Sequence, residues 1–124
     1  MFELDQPAVD TRADINAAVK QVFDATPVAM ILSRPDGSFE YVNPALKQML
    51  GYDNDIYDAD VLISHPGDLA VNRQIRERLR RSPFLPVTIE KRYLHKDGRV
   101  IPGLLTMVAE PDARGGIKRF IAQV

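Results

Sequence analysis

Apolar residues along this chain fall into successive rhythms, and each predicts a different element. Ile15, Ala18, Val19, Val22 and Phe23 recur at i, i+3, i+4, i+7 and i+8, the spacing that gathers side chains on one face of a helix. The stripe predicts a helix over residues 11–26. Thr11 and Asp14 form a capping-box-like pair at its start, and Pro27 disfavours a helical residue ahead of it. Residues 1–10 carry Pro7 and no periodicity, so they are expected to form an extended arm. "VAMILS", Val28 to Ser33, is a continuous apolar run too short for an ordinary helix, held between Pro27 and the Pro35-Asp36-Gly37 turn. It reads as a buried strand, with "SFEYVN" as its hairpin partner. Asn43-Pro44 then opens a helix, because asparagine is a favoured N-cap and proline is favoured at the first helical position. Leu46, Met49 and Leu50 supply its buried face, and Gly51 suits the left-handed residue that ends it.

Between Tyr52 and Arg81 the chain reads as helical in pieces. "DNDIYDADVLIS" is acidic with short apolar patches, whereas "HPGDLAVNRQIRERLRR" sets Leu69, Asn72, Ile75 and Leu79 along one side of a helix that opens at Pro66. Arginines surround the rest, so this helix lies on a surface and buries one stripe. From Pro83 onward the period becomes two, predicting two strands around Lys96-Asp97-Gly98 and a third after the turn at Pro111 to Gly116. A two-residue Asp-Gly loop would pair Lys96 with Arg99. A three-residue loop with Gly98 left-handed would pair residues symmetrically about Gly98 and send every side chain to the other face. The second form is preferred because it gathers Ile89, Tyr93, Ile101, Gly103, Leu105 and Met107, with Lys91, on one inner face. Leu94, Leu104, Thr106 and Val108 then share the opposite face, which is also apolar. Such a sheet needs cover on both sides, and the N-terminal helix or a second subunit is the available cover.

At 124 residues with 45% apolar content the chain is expected to build one modest core. Sixteen basic residues against seventeen acidic ones give a net charge of −1, without the overall positive charge of a nucleic-acid binder. The absence of cysteine removes disulfides, thiolate metal sites, cysteine nucleophiles and cysteinyl-flavin photochemistry. No apolar run approaches the roughly 20 residues that span a bilayer, and the acidic N-terminus does not read as a signal peptide. A cytoplasmic location is expected.

The stretch "PDGSFEYVNPALKQMLGY", the "HPGDL" opening of a helix, "IEKRYLHKDGRVI" and "RFIAQV" occur in one order and spacing. Together they resemble a PAS domain of the bacterial sensory-box type over roughly Asp24 to Val124. The resemblance implies an α+β fold with residues 27–124 as its core: a five-stranded antiparallel sheet in order 2-1-5-4-3, short helices over one face around an internal cavity, and residues 11–26 as a capping helix. It implies a sensory and dimerisation module without catalytic residues of its own. Such modules serve as inputs of histidine kinases in two-component systems, diguanylate cyclases and phosphodiesterases of cyclic-di-GMP signalling, and transcription regulators. The short acidic segment between Gly51 and His65 departs from the usual pattern. So does an ending at Val124 ahead of the usual Asp-Ile-Thr-like exit, and the chain is expected to be a sensory piece of a longer protein.

Relatives of this type hold haem, flavin, a chromophore, small metabolites or nothing. Haem is disfavoured, since the helix after "HP" offers Asn72 and Arg73 where an axial histidine is needed, and His65 stands only at its entrance. A small metabolite, or no ligand at all, is the favoured expectation. The candidate cavity residues are Ile31, Ser33, Met49, Leu69, Asn72, Ile75, Ile89, Lys91, Tyr93, Leu105 and Met107. A buried Lys91 needs a partner; the bland alternative has it reaching along the sheet to the rim. Asp53, Asp55, Asp58 and Asp60 lack the glycine and terminal glutamate of a calcium loop and read as solvated. Ser64 beside His65 has no acid to orient the ring and is not a catalytic pair. A ligand-free interaction module remains the alternative. A cone-shaped isomerase or hydrolase is the remote one, because the predicted inner faces supply no acid. The expected partners are a second copy of the chain, through Ile15, Val19, Val22, Phe23, Leu104 and Val108, and a covalently linked output domain. Nucleic acid and membrane are not expected partners.

Overall fold

The computed structural model describes residues 11–53 and 63–124, with side chains in the first helix from residue 17 onward. The arm, the Thr11–Asp14 cap, the Ile15 side chain and Asp55, Asp58 and Asp60 lie outside the described residues. Helix α1 spans Thr11–Ala25. Strands β1 (Met30–Ser33) and β2 (Phe39–Val42) form the first hairpin, and α2 (Pro44–Leu50) follows without a loop. A 3-10 turn at Pro66–Asp68 leads into α3 (Leu69–Arg81). The meander β3 (Val87–Leu94), β4 (Val100–Pro111) and β5 (Ile117–Gln123) completes the chain. All five strands join one antiparallel sheet in the order β2-β1-β5-β4-β3, as expected.

Asn43 explains how so many elements meet with so little chain between them. Its Oδ1 accepts from the backbone N–H of Leu46 at 3.1 Å, the N-cap bond that the Asn-Pro pair predicts, and from Met30 at 2.9 Å. Its Nδ2 donates to the carbonyls of Phe23 at 2.9 Å and Val28 at 2.8 Å. One fully buried side chain thus joins the end of α1, the start of β1 and the cap of α2. At the other end of α2, Gly51 takes φ +79 and packs under the His95 ring, while Lys96 N–H donates to the Leu50 carbonyl at 2.8 Å. The second hairpin is thereby tied to the short helix.

That hairpin has the expected three-residue loop, but its centre lies at Asp97 rather than Gly98. Tyr93 pairs with Ile101 and Leu94 with Val100, and His95 N–H donates to the Arg99 carbonyl. Lys96, Asp97 and Gly98 are the loop itself, so the midpoint is Asp97 and Gly98, at φ +94, closes the turn. A shift of one in the centre changes the pairing by two, so the face assignment stands. Lys91, Tyr93, Leu105 and Met107 are buried on the inner face beneath α2 and α3, with Phe120 and Ala122 from β5. Leu46 and Leu50 from α2, and Ile75 and Leu79 from α3, close that core.

Candidate functional site

The inner face borders a small space whose wall mixes polar and apolar side chains. Ile31 and Ser33 from β1, Lys91 and Tyr93 from β3, and Leu105 and Met107 from β4 form its floor, while Asn72 and Arg76 from α3 close it from above. Its volume is about 20 Å³, a little more than the roughly 10–15 Å³ a cavity needs to hold one water. Lys91 is 4% exposed, so the alternative in which it reaches the rim is set aside. Its ammonium lies 4.5 Å from the centroid of the Tyr93 ring, a cation–π arrangement strengthened by desolvation. Asn72 donates through Nδ2 to Ser64 Oγ at 3.4 Å, and its Oδ1 is buried without a hydrogen-bond partner among the described residues. A buried acceptor left unmade costs about 1–3 kcal/mol; a bridging water or a ligand donor would remove that cost.

Seven of the expected cavity residues line this space: Ile31, Ser33, Asn72, Lys91, Tyr93, Leu105 and Met107. Four do not. Ile75 is buried one turn further along the core side of α3, Ile89 is half-buried nearer the start of β3, and Leu69 is half-buried at the first turn of α3. Met49 borders instead a surface depression with Pro44, Ala45 and Gln48. Phe39, Ile63, Arg76 and Ala122 line the cavity and were not expected. Arg76 had a signal, since it follows Asn72 by one helical turn. Phe39 had none: a bulge lets Ser33 oppose Phe39 while Leu32 opposes Tyr41. Phe39 and Val42 therefore share a face that strict alternation would deny them.

The expected partner surface divides in a different way. Val19 and Val22 on α1 are 59% and 69% exposed, and Leu104 on the outer sheet face is 59% exposed. Val108 is half-buried in an apolar row that crosses β1, β5 and β4 as Leu32, Ile121 and Val108. Phe23 does not belong to this surface. It is buried within its own chain, its ring 5.1 Å from that of Tyr41, because the last turn of α1 must anchor somewhere on the β2 edge. The Tyr41 hydroxyl donates to Asp24 beside it, and this bond foremost holds the Asp24 carboxyl below its usual range.

One ion pair holds the roof to the sheet. Asp68 accepts from Arg92 Nη2 at 2.8 Å, from its Nε at 3.2 Å and from its backbone N–H at 2.8 Å. The Arg92 side chain first, and its backbone second, lower the Asp68 carboxyl to about 2. Among the described residues, no group of three or more histidine, cysteine, aspartate or glutamate side chains could hold a metal ion, and no helix is long and apolar enough to cross a membrane.

A five-stranded antiparallel sheet in this strand order, with helices over one face and a small space between the layers, defines an α+β domain. The family model of the PAS domain matches residues 27–124, and the chain belongs to that family. Solved structures agree on the fold. The PAS domain of a protein from Colwellia psychrerythraea is 19% identical with a TM-score of 0.76, covering 89% of this chain and 94% of that one. A domain of the sensory box sensor histidine kinase/response regulator from Geobacter sulfurreducens is 18% identical with a TM-score of 0.70, over 94% and 98%. The N-terminal domain of a diguanylate cyclase with PAS/PAC sensor from Marinobacter aquaeolei is 18% identical with a TM-score of 0.64, over 77% and 91%. Among curated proteins, none matches the chain.

Proposed function

We propose that this PAS domain is the cytoplasmic sensory and dimerisation module of a larger bacterial signalling protein, acting without catalysis. It would work by passing a change in its core to a covalently linked output domain such as a histidine kinase, a cyclic-di-GMP enzyme or a transcription regulator. The observation that carries this reading is the apolar surface left on one chain: Val19 and Val22 on α1, and Leu104 with the Leu32–Ile121–Val108 row on the sheet. A symmetric pair of chains would bury these positions, and a change in core packing would then alter how two output domains face each other. Sedimentation velocity at tens of micromolar tests it. A dimer that Val19→Ser/Val22→Ser converts to monomer is the expected result, and a monomeric wild type sinks the proposal.

The orphaned Asn72 Oδ1 supports a second reading, in which the core senses a small polar ligand. With about 20 Å³ the cavity has room for about one water, so a metabolite enters only if the roof lifts. Native mass spectrometry separates the two readings. A stoichiometric extra mass that Asn72→Leu removes would establish the ligand; a bare mass, with no gain in thermal stability across a screen of small polar metabolites, favours the interaction module.

A further inference from the structure

The segment joining α3 to β3 carries an apolar tip that neither the core nor the proposed dimer surface uses. Phe84 and Leu85 are adjacent and 84% and 65% exposed. Pro83 and Pro86 bracket them, and Leu85 N–H closes the turn on the Ser82 carbonyl at 3.1 Å. The tip is therefore held out by rigid backbone. Basic residues gather in the same stretch of chain. Between Arg73 and Pro86 the chain has five arginines against one acid, Glu77, although its overall charge is −1. Arg80 and Arg76 turn toward the Pro35–Gly37 corner, Arg80 donating to the Pro35 carbonyl. Arg78 and Arg81, one turn apart and exposed, instead flank a groove of about 330 Å³ walled by Ser82, Leu85 and Pro86. The guanidinium of Arg81 meets only the Glu77 carbonyl, at 3.5 Å, among the described residues.

We propose that this tip docks on an anionic phospholipid surface, Phe84 and Leu85 entering the interface while Arg78 and Arg81 meet the headgroup phosphates. Two neighbouring apolar side chains beside guanidinium groups that make no ion pair among the described residues match a membrane interface on both counts, an apolar layer beneath an anionic one. Guanidinium binds phosphate oxygens in a two-point fork, which lysine does not. A bilayer contact of this kind needs no spanning segment, so it is compatible with the absence of one among the described helices.

Co-sedimentation of the full chain with vesicles tests the assignment. Binding to vesicles of equal parts phosphatidylcholine and phosphatidylglycerol is expected to exceed binding to pure phosphatidylcholine at least about tenfold, and to fall as salt rises. Phe84→Ser/Leu85→Ser and Arg78→Ala/Arg81→Ala should each weaken it about tenfold or more. All four side chains are exposed, so melting temperatures should stay at the wild-type value and confirm folding. Absence of binding to the anionic vesicles overturns the proposal. So does equal binding to both compositions, or variants that bind like the wild type. If Phe84→Ser/Leu85→Ser instead dissolves a homodimer in sedimentation velocity while vesicle binding is absent, a second copy occupies the tip and the lipid assignment is wrong. The proposed dimer surface on α1 and the outer sheet is probed by separate substitutions, so the two ideas fail independently.

Discussion

On the inner face of the sheet, Phe120, Leu105 and Met107 lie beneath α2 and α3 and lose nearly all contact with solvent. One residue away along the same strands, Ile121 and Val108 stay half-exposed and Leu104 is 59% exposed. Local sequence does not separate these sets, since both are aliphatic or aromatic and both occupy regular strand. What separates them is cover. Asn43 and the Gly51–His95 contact hold α2 against the inner layer, and Asp68–Arg92 holds the entrance of α3 there. Among the described residues, helix α1 is pinned through its C-terminal half, by Lys20, Phe23 and Asp24 against Tyr41 and by Asn43. The outer face is thus left partly open by the described residues, whereas the inner face is consumed in folding.

The sharpest test of this contrast compares neighbours on β5. Phe120→Ala should cost about 3–5 kcal/mol of unfolding free energy, because a fully buried aromatic is removed from a closed core. Ile121→Ala, on the outer face, should cost the single chain about 1 kcal/mol. Equal losses in urea denaturation would mean that both faces are covered in the isolated chain. Asn43→Ala should come close to the inner-face value, at about 3 kcal/mol. It removes a helix cap and also strands buried groups at Met30, Phe23 and Val28; a loss below about 1 kcal/mol would reduce Asn43 to an ordinary cap.

Smaller effects probe the ties themselves. Gly51→Ala places a side chain at φ +79, with a Cβ 2.4 Å from His95 Cε1. It should cost about 1–2 kcal/mol from the left-handed backbone, with the displaced ring adding to it. The Asp68 tie has a signature in pH. Its carboxyl is lowered from 3.8 to about 2 in the folded chain, so the stabilisation is complete above the unfolded value and fades as pH falls toward 2. Asp68→Asn should therefore be less stable at neutral pH and show a shallower loss between pH 4 and pH 2; parallel acid limbs for the two proteins would break the argument. Least of all, Val19→Ser/Val22→Ser should change single-chain stability by no more than about 0.5 kcal/mol while weakening self-association at least about tenfold.

Much of this arrangement is legible along the chain because it depends on near neighbours. The α1 stripe, the Asn43-Pro44 start and Gly51 end of α2, and the period-two strands all follow from backbone preferences and side-chain spacing within a turn or a hairpin. The resemblance carried by four short stretches extended that reading to the strand order, which local rules alone leave open. Five cavity residues follow from the hairpin parity and the face of α3, and Ile31 and Ser33 from the buried strand before the first turn. Phe39 escaped because a bulge breaks alternation, and Ile63 and Ala122 because their place depends on elements far away in sequence.

Local chemistry, then, determined which elements form and which side chains share a face, since those properties are settled over a few residues. Tertiary structure alone decided that Phe23 turns inward while Val22 does not, and that the buried space shrinks to about 20 Å³ around Asn72 and Lys91. Those outcomes arise from close packing between distant segments, where the volume left over is a small difference between large filled ones and no single segment carries it.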